Sequence, residues 1–388
     1  MVSLVFPRKI FYGGSSLEEL LNISSMFDLK NFLIITDKTI EKINAFKNIH
    51  EGLIKSNIKT YVYSDISPEP NIETVDKIID FIKGKNIDLI VAIGGGSVID
   101  VSKILRVKLI RPDINSEDIS PFISLNIENK RPLLIAIPTT AGTGSDASFA
   151  FVLKIRENEN EIKYASGNYE LVPYESILDI NFIKTLPKRQ LIITAIDGLA
   201  NDIEGIVSIN SNPLTEGLAI QSARMFFKYL PKVVENQTDE ESLNYLHLAA
   251  TLSGIAFSNS GVGLVHAIAH PLGSLFNIPH GMVVAVTMPY VMDFNYKNEN
   301  ARKMYDEIKI ALERLDGFDV KNSLTDHLID LYNKIGQPLR LRDIGIKEAV
   351  YKNKIDEIAN LALRDSDLAF NPVTPTIDEI KEILNKIY

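Results

Sequence analysis

Asp88-Leu-Ile-Val-Ala-Ile93-Gly94-Gly95-Gly96-Ser97-Val-Ile-Asp100-Val-Ser-Lys103 reads as a buried strand, a three-glycine turn and the start of a helix. The apolar run is short and β-branched, the glycines allow a tight reversal, and the apolar spacing then turns helical. The same rhythm repeats outward from this stretch. Phe32–Thr36 and Thr60–Tyr63 are strand-like runs, and helix-period segments cover Ile40–Ser56 and Ile72–Lys83. Strands alternating with helices predict βαβ units in a parallel sheet. Leu133–Ile137 is a further strand closing on Pro138, and Phe151–Ile162 reads as a hairpin around the charged stretch Arg156-Glu-Asn-Glu-Asn-Glu161. After Leu186-Pro187 the spacing becomes helical and Leu-rich, as in Glu241–Phe257, and stays so to the end. The expected architecture is an α/β domain over residues 1–185, with a parallel nucleotide-binding sheet, and an all-α domain over residues 186–388.

Bulk composition narrows the function. The chain has 388 residues, 45% of them hydrophobic and 23% charged, enough for two domains with sizeable cores. A net charge of -9 and no run of five Lys or Arg argue against a nucleic-acid or anionic-membrane partner, so a small molecule is expected. The N-terminus lacks a cationic segment followed by a signal-type apolar core, and no uninterrupted apolar run is long enough to span a membrane, which predicts a cytoplasmic protein. With no cysteine, disulfides, thiolate ligands and Cys nucleophiles are excluded, and any metal must be held by His, carboxylate, amide or water.

Two loops point to a nucleotide. At Gly94–Ser97 the glycines let a pyrophosphate approach the main chain, Ser97 can cap the helix, and the helix N-terminus offers roughly half a positive charge. The spacing is neither G-x-G-x-x-G nor a P-loop, and a tight β-to-α turn alone also uses glycines. Pro138-Thr139-Thr140-Ala-Gly-Thr143-Gly-Ser-Asp146-Ala-Ser148 follows the next strand and is dense in hydroxyls. Open α/β sheets bind ligands at the carboxyl ends of neighbouring strands. Asp37, after Phe32–Thr36, can accept the adenosine ribose hydroxyls and repel a 2'-phosphate, which favours NAD(H) over NADP(H); the alternative is an Asx-turn or helix cap.

Three of the six histidines fall in Val265-His266-Ala-Ile-Ala-His270-Pro-Leu-Gly-Ser-Leu-Phe276-Asn-Ile-Pro-His280-Gly. Upstream, Ala195-Ile-Asp197-Gly-Leu-Ala-Asn201-Asp202-Ile-Glu204 reads as a helix with Asp197 and Asn201 on one face. Asp197, His266 and His280 are a candidate divalent site, His270 a candidate proton relay or simply a packing side chain. Asp202, five residues from Asp197, turns off that face. Phe149, Phe257 and Phe276 either line an apolar substrate pocket or are plain core.

These motifs resemble the iron-containing alcohol dehydrogenase family, within the dehydroquinate-synthase-like fold. The likeness runs from Phe11-Tyr-Gly-Gly through the two loops, Asp197 and Phe257-Ser-Asn-Ser-Gly-Val-Gly-Leu-Val-His266 to Asn371-Pro372. It implies an NAD(H)-linked interconversion of a small alcohol and its aldehyde or ketone in a cleft between the two domains, with Fe2+ or Zn2+ held by Asp197, Asn201, His266 and His280. It implies cofactor contacts from Asp37, Gly95, Gly96, Ser97, Thr139, Thr140, Thr143, Ser148, Lys163 and Leu178, and a homodimer or higher homo-oligomer. Lys163 is also a cation placed after a hairpin, able to reach a ribose or phosphate, or else a solvated surface lysine. Asn201 stands where the family usually has a second helical histidine, Asp146 where it usually has Glu, and Val373 where an Arg often follows Asn-Pro. Asn201 motivates two alternatives: a metal-independent NAD(P)H reductase of the same fold, and a nucleotide-binding homologue with a decayed metal site.

Overall fold

The computed structural model describes residues 4–157 and 160–388, with the side chains of residues 156–163 outside the description. It divides into two compact units, residues 1–140 with 144–186, and residues 141–143 with 187–388.

In the first unit β1 (Lys9–Tyr12), α1 (Ser16–Phe27), β2 (Asn31–Ile35), α2 (Asn44–Lys55), β3 (Lys59–Tyr63), α3 (Glu73–Phe81), β4 (Leu89–Gly94), α4 (Gly96–Ile110) and β5 (Leu133–Pro138) follow in order. Then come β6 (Ala150–Glu157), β7 (Asn160–Gly167), β8 (Glu175–Leu178) and α5 (Ile180–Ile183). Six strands form one sheet in the order β1-β8-β5-β4-β2-β3, with every pairing parallel. Alternate side chains supply two cores. Leu33, Ile35, Ile90, Ala92, Leu134 and Ala136 join α3 and α4 in one, while Phe32, Ile34, Val91, Ile93, Ile135 and Ile137 join α1 and α2 in the other. The period of two along a strand, with both faces covered, is why these runs are apolar throughout. β6 and β7 form the expected antiparallel hairpin, with Phe151 and Leu153 in the first core.

Two readings need correction. The helix expected over Ile40–Ser56 is a 3-10 turn at Ile40–Lys42 and then α2, because Ile43 is extended (φ -77°, ψ 154°). β1 and β8 lacked a sequence signal: each has four residues, and β8 carries the buried polar Glu175 and Ser176.

The second unit is helical: α6 (Lys188–Val207), α7 (Pro213–Glu235), α8 (Glu240–Ser260), α9 (Leu264–Phe276), α10 (His280–Asn295), α11 (Glu299–Glu313), α12 (Leu324–Ile335), α13 (Glu348–Lys352), α14 (Ile355–Ala362) and α15 (Ile377–Ile387). Among the described residues no single helix is long and apolar enough to cross a membrane.

Candidate metal and nucleotide sites

The sheet changes winding direction between β2 and β4, the switch point at which open α/β sheets leave a crevice beyond their strand ends. Asp37 follows β2, Gly95–Ser97 follow β4 and Thr139 and Thr140 follow β5 on adjacent strands, while Leu178 ends β8 and is 1% exposed. The two loops are stitched together: the Thr139 N–H donates to the Gly94 carbonyl at 3.1 Å. Thr140 packs beside Gly95, the N-cap of α4.

Several side chains do other work than expected. Ser97 does not cap α4: the N-cap is Gly95, and the Ser97 hydroxyl donates to the Pro68 carbonyl at 2.6 Å. Asp37 Oδ1 accepts from the Thr39 and Ile40 amides at 2.7 and 3.0 Å, so the Asx-turn is present. Ser148 is buried and accepts from Lys103 Nζ at 3.4 Å. Thr143 groups with the second unit. The Lys163 backbone pairs with Lys154 in the hairpin, and its side chain lies outside the described residues.

In the second unit, Asp197 sits midway along α6, buried, with Asn201 one turn later and 4% exposed. Gly281 brings α10 against α6: a Cβ there would lie 2.3 Å from the Ile193 carbonyl oxygen. That contact sets His280 Nε2 3.4 Å from Asp197 Oδ1, and His266 Nε2 lies 3.8 Å from the same oxygen. The ligating atoms of the three residues lie within 4.8 Å of one another. A tetrahedral ion with bonds near 2.0–2.1 Å sets its ligand atoms about 3.3 Å apart. Asp197 Oδ1 is buried with no hydrogen-bond partner among the described residues, as a metal-facing oxygen would be. The residues present therefore fit a divalent ion. Burial pushes the Asp197 acid up, but His280 and His266 outweigh it and hold it below the usual carboxylate range. Burial lowers His266, yet Asp197 and Glu204 push it up to about 10.

Glu204 is the residue that sequence reading missed. One oxygen accepts the Val265 N–H at 2.6 Å and the other meets His266 Nδ1 at 2.5 Å. His266 thus donates from Nδ1 and turns Nε2 toward Asp197, the usual arrangement for a ligating imidazole. Gly263 makes room: a Cβ there would meet Asn371 Oδ1 at 2.7 Å and Glu204 Oε1 at 3.2 Å. The available signal was spacing, since Glu204 is seven residues, two turns, from Asp197 on one helix. Asn371 ties the centre together by accepting from Leu264 N at 3.2 Å and donating to Asn295 Oδ1 at 2.9 Å. Asp202 faces elsewhere, toward the Ser222 and Ser253 hydroxyls, and burial outweighs them and pushes its acid well up.

His270, one turn beyond His266, stacks on His280 with centroids 5.3 Å apart. Its Nδ1 meets Asp365 Oδ2 at 2.8 Å, a partner 95 residues away to which no local period links it. The three phenylalanines have separate neighbours: Phe149 stacks on Tyr169, the Phe257 backbone passes beside Gly205, and Phe276 packs on Tyr351.

Residues 7–180 match the family model described as iron-containing alcohol dehydrogenase, and residues 191–388 match the C-terminal part of the same family. The chain is 33% identical to an alcohol dehydrogenase of Thermococcus barophilus, covering 98% of this chain and 97% of the relative. It is 32% identical to an NADPH-dependent butanol dehydrogenase of Clostridium saccharobutylicum, covering 100% and 98%. The structure of an iron-containing alcohol dehydrogenase from Thermococcus thioreducens superposes with a TM-score of 0.88 at 31% identity, covering 100% of this chain and 99% of that one. With both units matched along almost their whole length, the chain belongs to the iron-containing alcohol dehydrogenase family.

Proposed function

We propose that this protein interconverts a small alcohol and its aldehyde or ketone by hydride transfer with NAD(H), using one divalent ion, Fe2+ or Zn2+. The observation that carries the reading is the buried, unpartnered Asp197 Oδ1 facing two imidazole Nε2 atoms. Asp197, His266 and His280 would hold the ion, and this three-ligand set leaves a fourth position for the neutral amide of Asn201 or for substrate or water. When bound, the ion polarises the substrate oxygen and the nicotinamide carries the hydride. Glu204 fixes the His266 ring, and His270, held by Asp365, relays a proton.

Nucleotide choice rests on Asp37, whose charge disfavours a 2'-phosphate. D37S keeps a capping oxygen and removes the charge, so the NADPH/NADH ratio of kcat/KM is expected to rise by about 10-fold or more, equivalent to about 1.4 kcal/mol. An unchanged ratio removes Asp37 from cofactor selection. The overall reading is tested by NADH oxidation with metal-reconstituted protein across short aldehydes and ketones, and turnover with none of them defeats it. Asn201 favours a second reading, a metal-independent reductase, which predicts full activity after the metal is stripped.

A further inference from the structure

We propose that His270, Asp365 and Asp367 form a second, weaker divalent-cation site whose occupancy removes His270 from proton transfer. The inhibitory half of this inference rests on the relay role given to His270 above, and the binding half does not. The three donors come from α9 (His270), from the 3-10 turn at Ser366–Phe370 (Asp367) and from its N-cap, Asp365, and their ligating atoms lie within 4.8 Å of one another. His270 Nδ1 is 2.8 Å from Asp365 Oδ2 and 3.9 Å from Asp367 Oδ2, separations that bracket the spacing of about 3.3 Å around a tetrahedral ion. The donors are set in place beforehand. Asp365 Oδ1 accepts the Asp367 N–H at 2.9 Å, leaving Oδ2 for the site, and the stack on His280 fixes the His270 ring.

A His270–Asp365 dyad alone does not account for Asp367. One Nδ1–H serves Asp365, and at 3.9 Å Asp367 is beyond hydrogen-bond reach of that atom. Its side chain is 27% exposed and lies on the same side of the His270 ring nitrogen as Asp365. Two carboxylates facing one imidazole are better neutralised by a doubly charged ion than by a single proton. One nitrogen and two carboxylate oxygens suit Zn2+, Mn2+ or Fe2+. The site is weaker than the first because its carboxylates are 15% and 27% exposed against 9% for Asp197, and a cation held beside His280 would repel another.

The test is equilibrium dialysis of the full chain against Zn2+ or Mn2+ with elemental analysis, alongside NADH oxidation at each loading. The wild type is expected to take two equivalents, with activity rising through the first and falling through the second. D367N is expected to keep the first equivalent, which also reports that it is folded. It should lose at least about 100-fold in affinity for the second, and with it the inhibition. Saturation of the wild type at one equivalent overturns the proposal whether or not the variant folds, as does a D367N protein that still takes two. Absence of turnover with every metal would defeat the functional reading while the stoichiometry still decides this one.

Discussion

Glu204 acts twice through one carboxylate, capping the N-terminus of α9 at Val265 and setting the tautomer of His266. Outer partners of this kind typically govern metal affinity by 10–100-fold. E204Q is therefore expected to weaken first-equivalent metal binding by about that factor, with Nδ1 no longer paired to a charge, and metal titration of the purified variant checks it. Unchanged affinity would reduce Glu204 to a helix cap. The proposed first-site ligands Asp197, His266 and His280 were legible because histidine is scarce here and three of the six fall in one stretch downstream of Asp197. Asp365 and Asp367 were not, and Asn371 entered only as part of the family likeness, because their partners lie about 76 to 107 residues away and no local period links them.

At the scale of elements, the hydroxyl-rich loop after β5 is fastened to α4 by a buried ion pair. Lys103 Nζ donates to Ser145 Oγ at 3.1 Å and to the Ala150 carbonyl at 2.6 Å, while Asp100 accepts from Ser145 Oγ at 2.5 Å and from Val152 N at 3.0 Å. Removing one partner of a buried pair strands the other charge, so K103M is expected to cost about 3–5 kcal/mol. K103M/D100N should cost less than the two single variants summed, as a denaturant double-mutant cycle would show. Glu170 makes the corresponding closure of the segment between α4 and β5, accepting from the amides of Leu125, Asn126 and Ile127. Burial pushes its acid up, but those amides win and hold it below the usual range. With the folded value depressed, the folded state binds fewer protons than the unfolded chain, and the stability from this group is present above the unfolded value near ~4.3 and lost as pH falls through the folded value. E170Q is expected to lose about 1–3 kcal/mol at pH 7, with the gap to wild type closing below about pH 4 in urea titrations. A gap independent of pH would contradict the assignment. Strand and helix order was readable from periodicity, whereas the break at Ile43 and the four-residue β1 and β8 depend on tertiary pairing that short windows do not record.

For the whole molecule, the division of labour follows from composition as much as from motifs. A sheet buried on both faces needs apolar strands, and its chemistry is confined to the loops beyond their carboxyl ends, where Gly95, Gly96, Thr139 and Thr140 lie. The helical unit instead carries its chemistry inside, on α6, α9 and α10, where a buried carboxylate needs a cation. Both patterns were visible in the chain, but the fitness of the Asp197 centre for a metal, given Asn201 in the neighbouring position, became arguable only with distances and burial. The direct measurement is metal content against activity: strip the protein with a chelator, quantify bound metal by elemental analysis, and follow NADH oxidation with short aldehydes as Fe2+ or Zn2+ is returned. A bound divalent ion at Asp197, His266 and His280 predicts that activity falls by at least about 100-fold on stripping and returns with the first equivalent. Full activity with no bound metal would contradict it.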